Sequence, residues 1–168
     1  MRTELYALEV KFLVEELKFL KGSRTQKVYQ NKQILSLQFY VPQQGKNLLH
    51  IAVPKALFLS TEKFDYPTVP PGFSMFLRKR LSGSFLDGIE QHEFERIIKL
   101  HFGGREDYYL LLELFGQGNV TLLDSEGKII SSLKRENLRR EFKKGEEYPY
   151  PESRLDPFNE LDKLLEYK

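Results

Sequence analysis

Between Ser84 and Leu133 the chain spells five short stretches rich in β-branched, aromatic and leucine residues: "SFLDGIEQ", "FERIIKLHF", "DYYLLLELFG", "NVTLLD" and "KIISSL". Only a few residues part each from the next, and most of those connections contain Gly. A parallel crossover needs about a dozen residues or more, so links this short require antiparallel neighbours. The same grammar governs an earlier block, where "RTQKVYQ" and "QILSLQFYV" are joined by "NK", "NLLHIAV" follows the turn "PQQGK", and "ALFLS" adds a further strand. Two helices interrupt the pattern. In "TELYALEVKFLVEELKFLKG" (3–22), Leu5, Leu8, Phe12, Leu13, Leu17 and Leu20 recur at helical steps before Gly22. In the second, Ser74 is expected to cap "MFLRKRLSG", which Gly83 ends. The fold class that follows is α+β: an antiparallel β-sandwich or barrel-like sheet, with the first helix packed on it and the second outside.

Composition narrows the function classes. A chain of 168 residues with thirteen Phe and nine Tyr can bury a core of ordinary domain size. Zero cysteines exclude disulfides, thiolate metal sites and cysteine nucleophiles, and fit a reducing cytosol. No apolar run is long enough for a membrane span. A net charge of +2 is too small to argue for nucleic acid by itself, so charge distribution must carry that case. Beyond Leu133 the chain turns charged ("KRENLRREFKK"), then Pro-rich ("YPYPESRLDP"), and ends in "FNELDKLLEYK", whose apolar residues have little partner in what remains. The expected division is a domain over 1–150, with 151–168 a connection into a following helical module.

Four charges fall where apolar residues are expected. If residues 94–102 alternate as a strand, Phe94, Arg96, Ile98, Leu100 and Phe102 share one face, and Arg96 interrupts it. Glu9 and Glu16 lie inside the apolar arc of the first helix, and Glu113 sits in a stretch apolar on both faces. Buried charges are costly unless paired. Two readings fit. Arg96 with Glu113 or Glu16 makes a structural ion pair, or Glu9, Glu95 and Arg96 line a rim where helix and sheet meet and present themselves to a ligand.

Basic groups form two runs. Arg78, Lys79 and Arg80 are consecutive and must fan over more than half of the second helix, and the segment 134–144 adds six more cations. Such groups suit a phosphate backbone, although a charge run is more often a solvated surface. Signals for catalysis are thin. His50, His92 and His101 lack metal-ligand spacing, so neither metal nor other cofactor is expected. "GQGNV" lacks the Lys-Ser/Thr and helix of a phosphate loop and reads as a strand turn.

The blocks "ALEV…LVEEL", "PPGFSMFLRKRLSG", "IEQHEFERII", "LLLELFGQGNVTLLD" and "GEEYPYP", in this order, resemble the N-terminal domain of the NFACT family, the RqcH/NEMF-like ribosome quality control factors, whose bacterial members are often labelled fibronectin-binding protein A-like. The resemblance implies a fold like the N-terminal domain of formamidopyrimidine-DNA glycosylase. It implies a cytoplasmic factor that binds tRNA and large ribosomal subunits obstructed by peptidyl-tRNA, and supports untemplated tailing of the stalled chain. Helix-hairpin-helix and coiled-coil modules of the same factor would be further partners. The family's acid on the first helix and its Asp-Arg pair map to Glu9 and to Glu95–Arg96, with Glu replacing Asp at both acidic places. Arg78, Lys79 and Arg80 join them as candidate RNA contacts. The rival implied by the same fold is a DNA glycosylase-like repair protein. Those enzymes attack with an N-terminal proline amine, whereas this chain opens Met1-Arg2-Thr3-Glu4. A binding module without catalytic residues is the expectation.

Overall fold

A computed structural model describes residues 5–137, with only the backbone of Asn137, and residues 140–152. Helix α1 (Ala7–Leu17) runs into a short 3₁₀ turn, Lys18–Leu20. Strands β1 (Arg24–Asn31), β2 (Ile34–Val41), β3 (Gly45–Ala52) and β4 (Ala56–Ser60) follow as a meander. Helix α2 (Gly72–Leu81) then leads into β5 (Phe85–Gln91), β6 (Ile97–Gly103), β7 (Tyr108–Glu113), β8 (Asn119–Leu123) and β9 (Ile129–Ser132). The pairs β10 (Glu136–Asn137) and β11 (Arg140–Glu141) form a separate small hairpin.

The nine longer strands form one sheet in the order β4-β3-β2-β1-β5-β6-β7-β8-β9, and every pairing is antiparallel. The expected α+β class therefore holds. Its two halves meet at the single register pair Arg24–Phe85. Phe39 on β2 and Phe102 on β6 are three strand positions apart in that order, which is about 14 Å in a flat sheet. Their rings nevertheless lie 6.4 Å apart, centroid to centroid. The sheet must fold back at the β1–β5 junction so that the inner faces of its halves pack together. Gly118, at the far turn, sits where an added Cβ would come within 2.7 Å of the Val53 carbonyl carbon, so only glycine lets the halves close there.

Both helices share this inner core. Val10, Val14 and Leu17 of α1 and Leu77 and Leu81 of α2 are buried in one cluster with Leu37, Phe39, Leu100 and Phe102. The buried side of α1 departs from the expected one. Leu8 and Phe12 are exposed and so is Glu16, because the β-branched stripe Val10–Val14 faces β5 and β6 instead. Glu16 is thus on the surface and not in a core ion pair. Helix α2 begins at Gly72, with Pro71 as its N-cap residue; Ser74 is not the cap but is buried inside the first turn, where its amide donates to the Gln30 side chain. That helix covers the edge of β1 and contributes to the core, so it is not an outer decoration.

Candidate RNA-binding site at the β5–β6 turn

The segment 94–102 is not one strand. β5 ends at Gln91, residues 92–96 form a tight turn, and β6 begins at Ile97. Alternation from Ile98 to Phe102 is real, but Phe94 and Arg96 belong to the turn. The His92 amide donates to the Ile97 carbonyl at 2.9 Å, the Glu95 amide to the His92 carbonyl at 3.0 Å, and Glu93 takes a left-handed φ of 49°. The neighbouring strand clamps the turn as well, since the Leu114 amide donates to the Arg96 carbonyl at 2.8 Å.

Gln91 ties this turn to α1. Its Nε2 donates to the Glu95 carbonyl at 2.8 Å and to the Ala7 carbonyl at 2.9 Å. The first turn of α1, carrying Glu9, is thereby fixed beside Glu95–Arg96, and three sequence-predicted residues come together at one rim. Glu9 accepts from the Tyr6 amide at 2.7 Å, capping the helix as an acid should at the positive end of its dipole. Glu95 is 6% exposed, and Arg96 is half-buried with its guanidinium carbon 5.7 Å from the Phe115 ring centroid.

Glu113 is fully buried, as expected, and its structural partner is Arg140, at 2.6 Å, from the charged segment read as a solvated surface. The Tyr148 hydroxyl donates to the same Glu113 oxygen. Burial pushes the Tyr148 phenol above its ordinary pKa, and the Glu113 carboxylate adds to this. Burial draws the Arg140 pKa down, but Glu113 and Tyr148 outweigh it, so the guanidinium is held charged. Arg140 also lies 5.7 Å from the Phe115 centroid, so that one ring borders both arginines. Sequence reasoning missed this support, and also the stacked pair His92–Tyr150, whose centroids are 4.0 Å apart beside the turn. The "YPYP" aromatics were the available signal.

The cations of α2 do not join the rim. β5 is seven residues long, about 23 Å, and separates Arg78–Arg80 at its start from Glu95–Arg96 beyond its end. The three also diverge from one another. Arg78 donates from Nε to the Val28 carbonyl on the β1 side. Arg80 lies 3.6 Å over the Phe76 ring and, with exposed Lys79 and with Arg105, borders a cleft of about 450 Å³.

A family profile described as NFACT N-terminal and middle domains matches residues 7–168. The chain belongs to the NFACT family. It is 34% identical to the archaeal Rqc2 homolog aRqcH of Methanocaldococcus jannaschii over 95% of its length, but spans only 25% of that protein. It is 35% identical to ribosome quality control complex subunit 2 of Saccharomyces cerevisiae over 88% of its length, or 14% of the yeast chain. Among solved structures, the N-terminal domain of the fibronectin-binding protein PavA from Streptococcus pneumoniae superposes with a TM-score of 0.84 at 28% identity, covering 96% of this chain and 69% of that one. NFACT membership gives the rim its context, because Glu9 and Glu95–Arg96 are the positions singled out by the family resemblance. Among the described residues, no helix is long and apolar enough to cross a membrane.

Proposed function

We propose that this NFACT domain is the RNA-binding module of a ribosome quality control factor, and that it grips tRNA at a large ribosomal subunit whose exit is obstructed by peptidyl-tRNA. It works in the cytoplasm with the remaining modules of the factor and supports untemplated tailing of the stalled chain. The domain binds and does not catalyse. The observation that carries the reading is the double hydrogen bond of Gln91, which holds Glu9 and Glu95–Arg96 at one rim. Relatives named as ribosome quality control subunits support the cellular setting.

The chemistry of the rim fits recognition of RNA. Arginine offers a planar fork that can stack on an aromatic ring and still donate to phosphate or a base edge. The partly exposed Glu9 carboxylate beside it repels phosphate and can accept from base amino groups, while the buried Glu95 belongs to the turn that presents Arg96, so acid selects while the cation attracts. The test is the full-length factor carrying Glu95→Ala with Arg96→Ala. Its tRNA selectivity and extension of stalled chains should fall while bulk RNA affinity changes little. A double variant that melts like its parent, keeps its tRNA preference and extends stalled chains would falsify the assignment.

A further inference from the structure

A second charged feature lies on the outer face of β1, on the far side of the β1–β5 junction from the rim. β1 and β5 pair only near their first residues and run antiparallel, so they lead away from Arg24–Phe85 in opposite directions. On β1 the ladder shifts between Thr25 and Lys27, and this extra residue changes which side chains face out. Thr25 opposes Phe39 and is buried, whereas Lys27 opposes Gln38 and is exposed on the face that carries Tyr29.

Three cations gather there on one ring. Lys27 Nζ is 5.3 Å from the Tyr29 centroid, Lys63 Nζ 5.0 Å and the Arg78 guanidinium carbon 5.4 Å. They come from three different elements: a strand, the β4–α2 connection and a helix. None of the three has a carboxylate within 4.0 Å among the described residues, although Glu62 and Asp65 flank Lys63 in sequence. The site is also built rather than loose. Phe64 lies tilted against His50 at 4.2 Å and Tyr66 stacks on Tyr29 at 4.6 Å, which anchors the chain beyond Lys63. Arg78 is tethered through Nε to Val28, leaving Nη2 without an acceptor among the described residues.

Gathering three like charges without a counter-ion is unfavourable, and cation–π contact with one ring offsets only part of it. An anion placed among them would remove the repulsion. We propose that Lys27, Lys63 and Arg78 form a phosphodiester-binding clamp, so that the domain holds RNA backbone here as well as at the rim. The clamp rests on the reading of this domain as an RNA-binding module, and adds a second, sequence-independent contact to it. The backbone could belong to the tRNA or to the RNA of the large subunit; the experiment separates the two.

Lys27→Gln with Lys63→Gln in the full chain is the variant of choice, because both side chains are exposed and neither anchors the fold. Binding to tRNA and to isolated large subunits is measured in separate arms across a salt series. Loss of two phosphate contacts should flatten the log–log salt slope by about 1.4–1.8 in the arm whose RNA occupies the clamp. Unchanged slopes in both arms would overturn the clamp, as would displacement by polyglutamate but not by an RNA homopolymer, which marks an acidic protein as the occupant. The rim is scored independently with Glu95→Ala/Arg96→Ala. A rim effect without a clamp effect refutes this inference alone, and a clamp effect without a rim effect refutes the rim reading alone.

Discussion

The two halves of the sheet hide their outer faces by different chemistry. On β1–β4, Tyr29, Ser36, His50 and Phe58 stand opposite one another across four strands, and the connection to α2 lays Phe64 and Tyr66 over them. On β6–β9, Ile97, Leu111, Leu123 and Ile129 are covered by Phe142 and Tyr148 of the segment after β9. The first cover is held by aromatic contacts with no ion pair among the described residues, and His50 accepts from or donates to Ser36 at 2.7 Å. The second is bolted by a charge pair, Glu113–Arg140, under a sheet that is otherwise apolar. A stacked cover can be peeled by degrees. A bolted one loses most of its hold when a single partner goes, because the other charge stays buried. The bolted cover is also the one that borders Phe115 and so supports Arg96.

Breaking the bolt should give the largest effect. Arg140→Ala leaves Glu113 buried without its cation, and such losses are about 3–5 kcal/mol. Urea denaturation of this variant should show a much lower midpoint, and the rim should lose function with it. Replacing both partners, as Glu113→Gln with Arg140→Met, should return most of the stability, since a buried pair is often worth little against an uncharged substitute of similar size. If Arg140→Ala is nearly silent, the pair is not what holds the second cover in place.

The aromatic cover should answer to pH instead. Burial lowers the pKa of His50 below its usual value of 6.5, so the folded state prefers the uncharged ring. On unfolding, the ring regains its ordinary affinity for protons. The unfolded state then binds more protons, and stability is complete above about pH 6.5 and lost as pH falls from there towards the folded-state pKa. Denaturant midpoints from pH 7.5 to 5.5 should decline more in the parent than in His50→Gln, which removes the titrating ring. Arg140 and Tyr148 stay charged and protonated respectively over that range, so the bolted half contributes no such slope through them. Equal slopes in parent and variant would dissociate His50 from the pH response.

Strand grammar made the fold legible, because short apolar stretches with short links admit only antiparallel neighbours. β3 and β4 fell within a residue or two of their expected places, and Glu113 was rightly placed in the interior. The rim was legible in membership but not in geometry. Alternation through Ile98, Leu100 and Phe102 invited extension back to Phe94, and nothing local marks where a strand gives way to a turn held by Gln91 and Leu114. Arg140 was hidden among look-alikes. One half-buried guanidinium in a run of cations pairs with a core acid, and only the distant Glu113, 27 residues earlier, decides which. The clamp was invisible for a related reason, since Lys27, Lys63 and Tyr29 meet only after a bulge and a long connection bring them together.

The smallest expected effect concerns α1, where hydrophobicity misled. Leu8 and Phe12 outrank Val10 and Val14 in size, so a helical wheel weighted by apolar bulk turns the wrong side inward. The fold instead buries the two valines, and Phe12 remains 60% exposed. The valines lie in the core cluster on the side of the helix that packs against β5 and β6. Phe12→Ser should therefore change stability by no more than about 0.5 kcal/mol, as surface substitutions do, despite removing a large aromatic. Val14→Ser on the same helix puts a hydroxyl into the core without a provided acceptor and should cost roughly 1–3 kcal/mol. Thermal melts of the two variants side by side decide the matter. Were Phe12→Ser the more damaging, α1 would pack with its other face inward, and the rim would lose the Ala7–Gln91 contact on which its geometry depends.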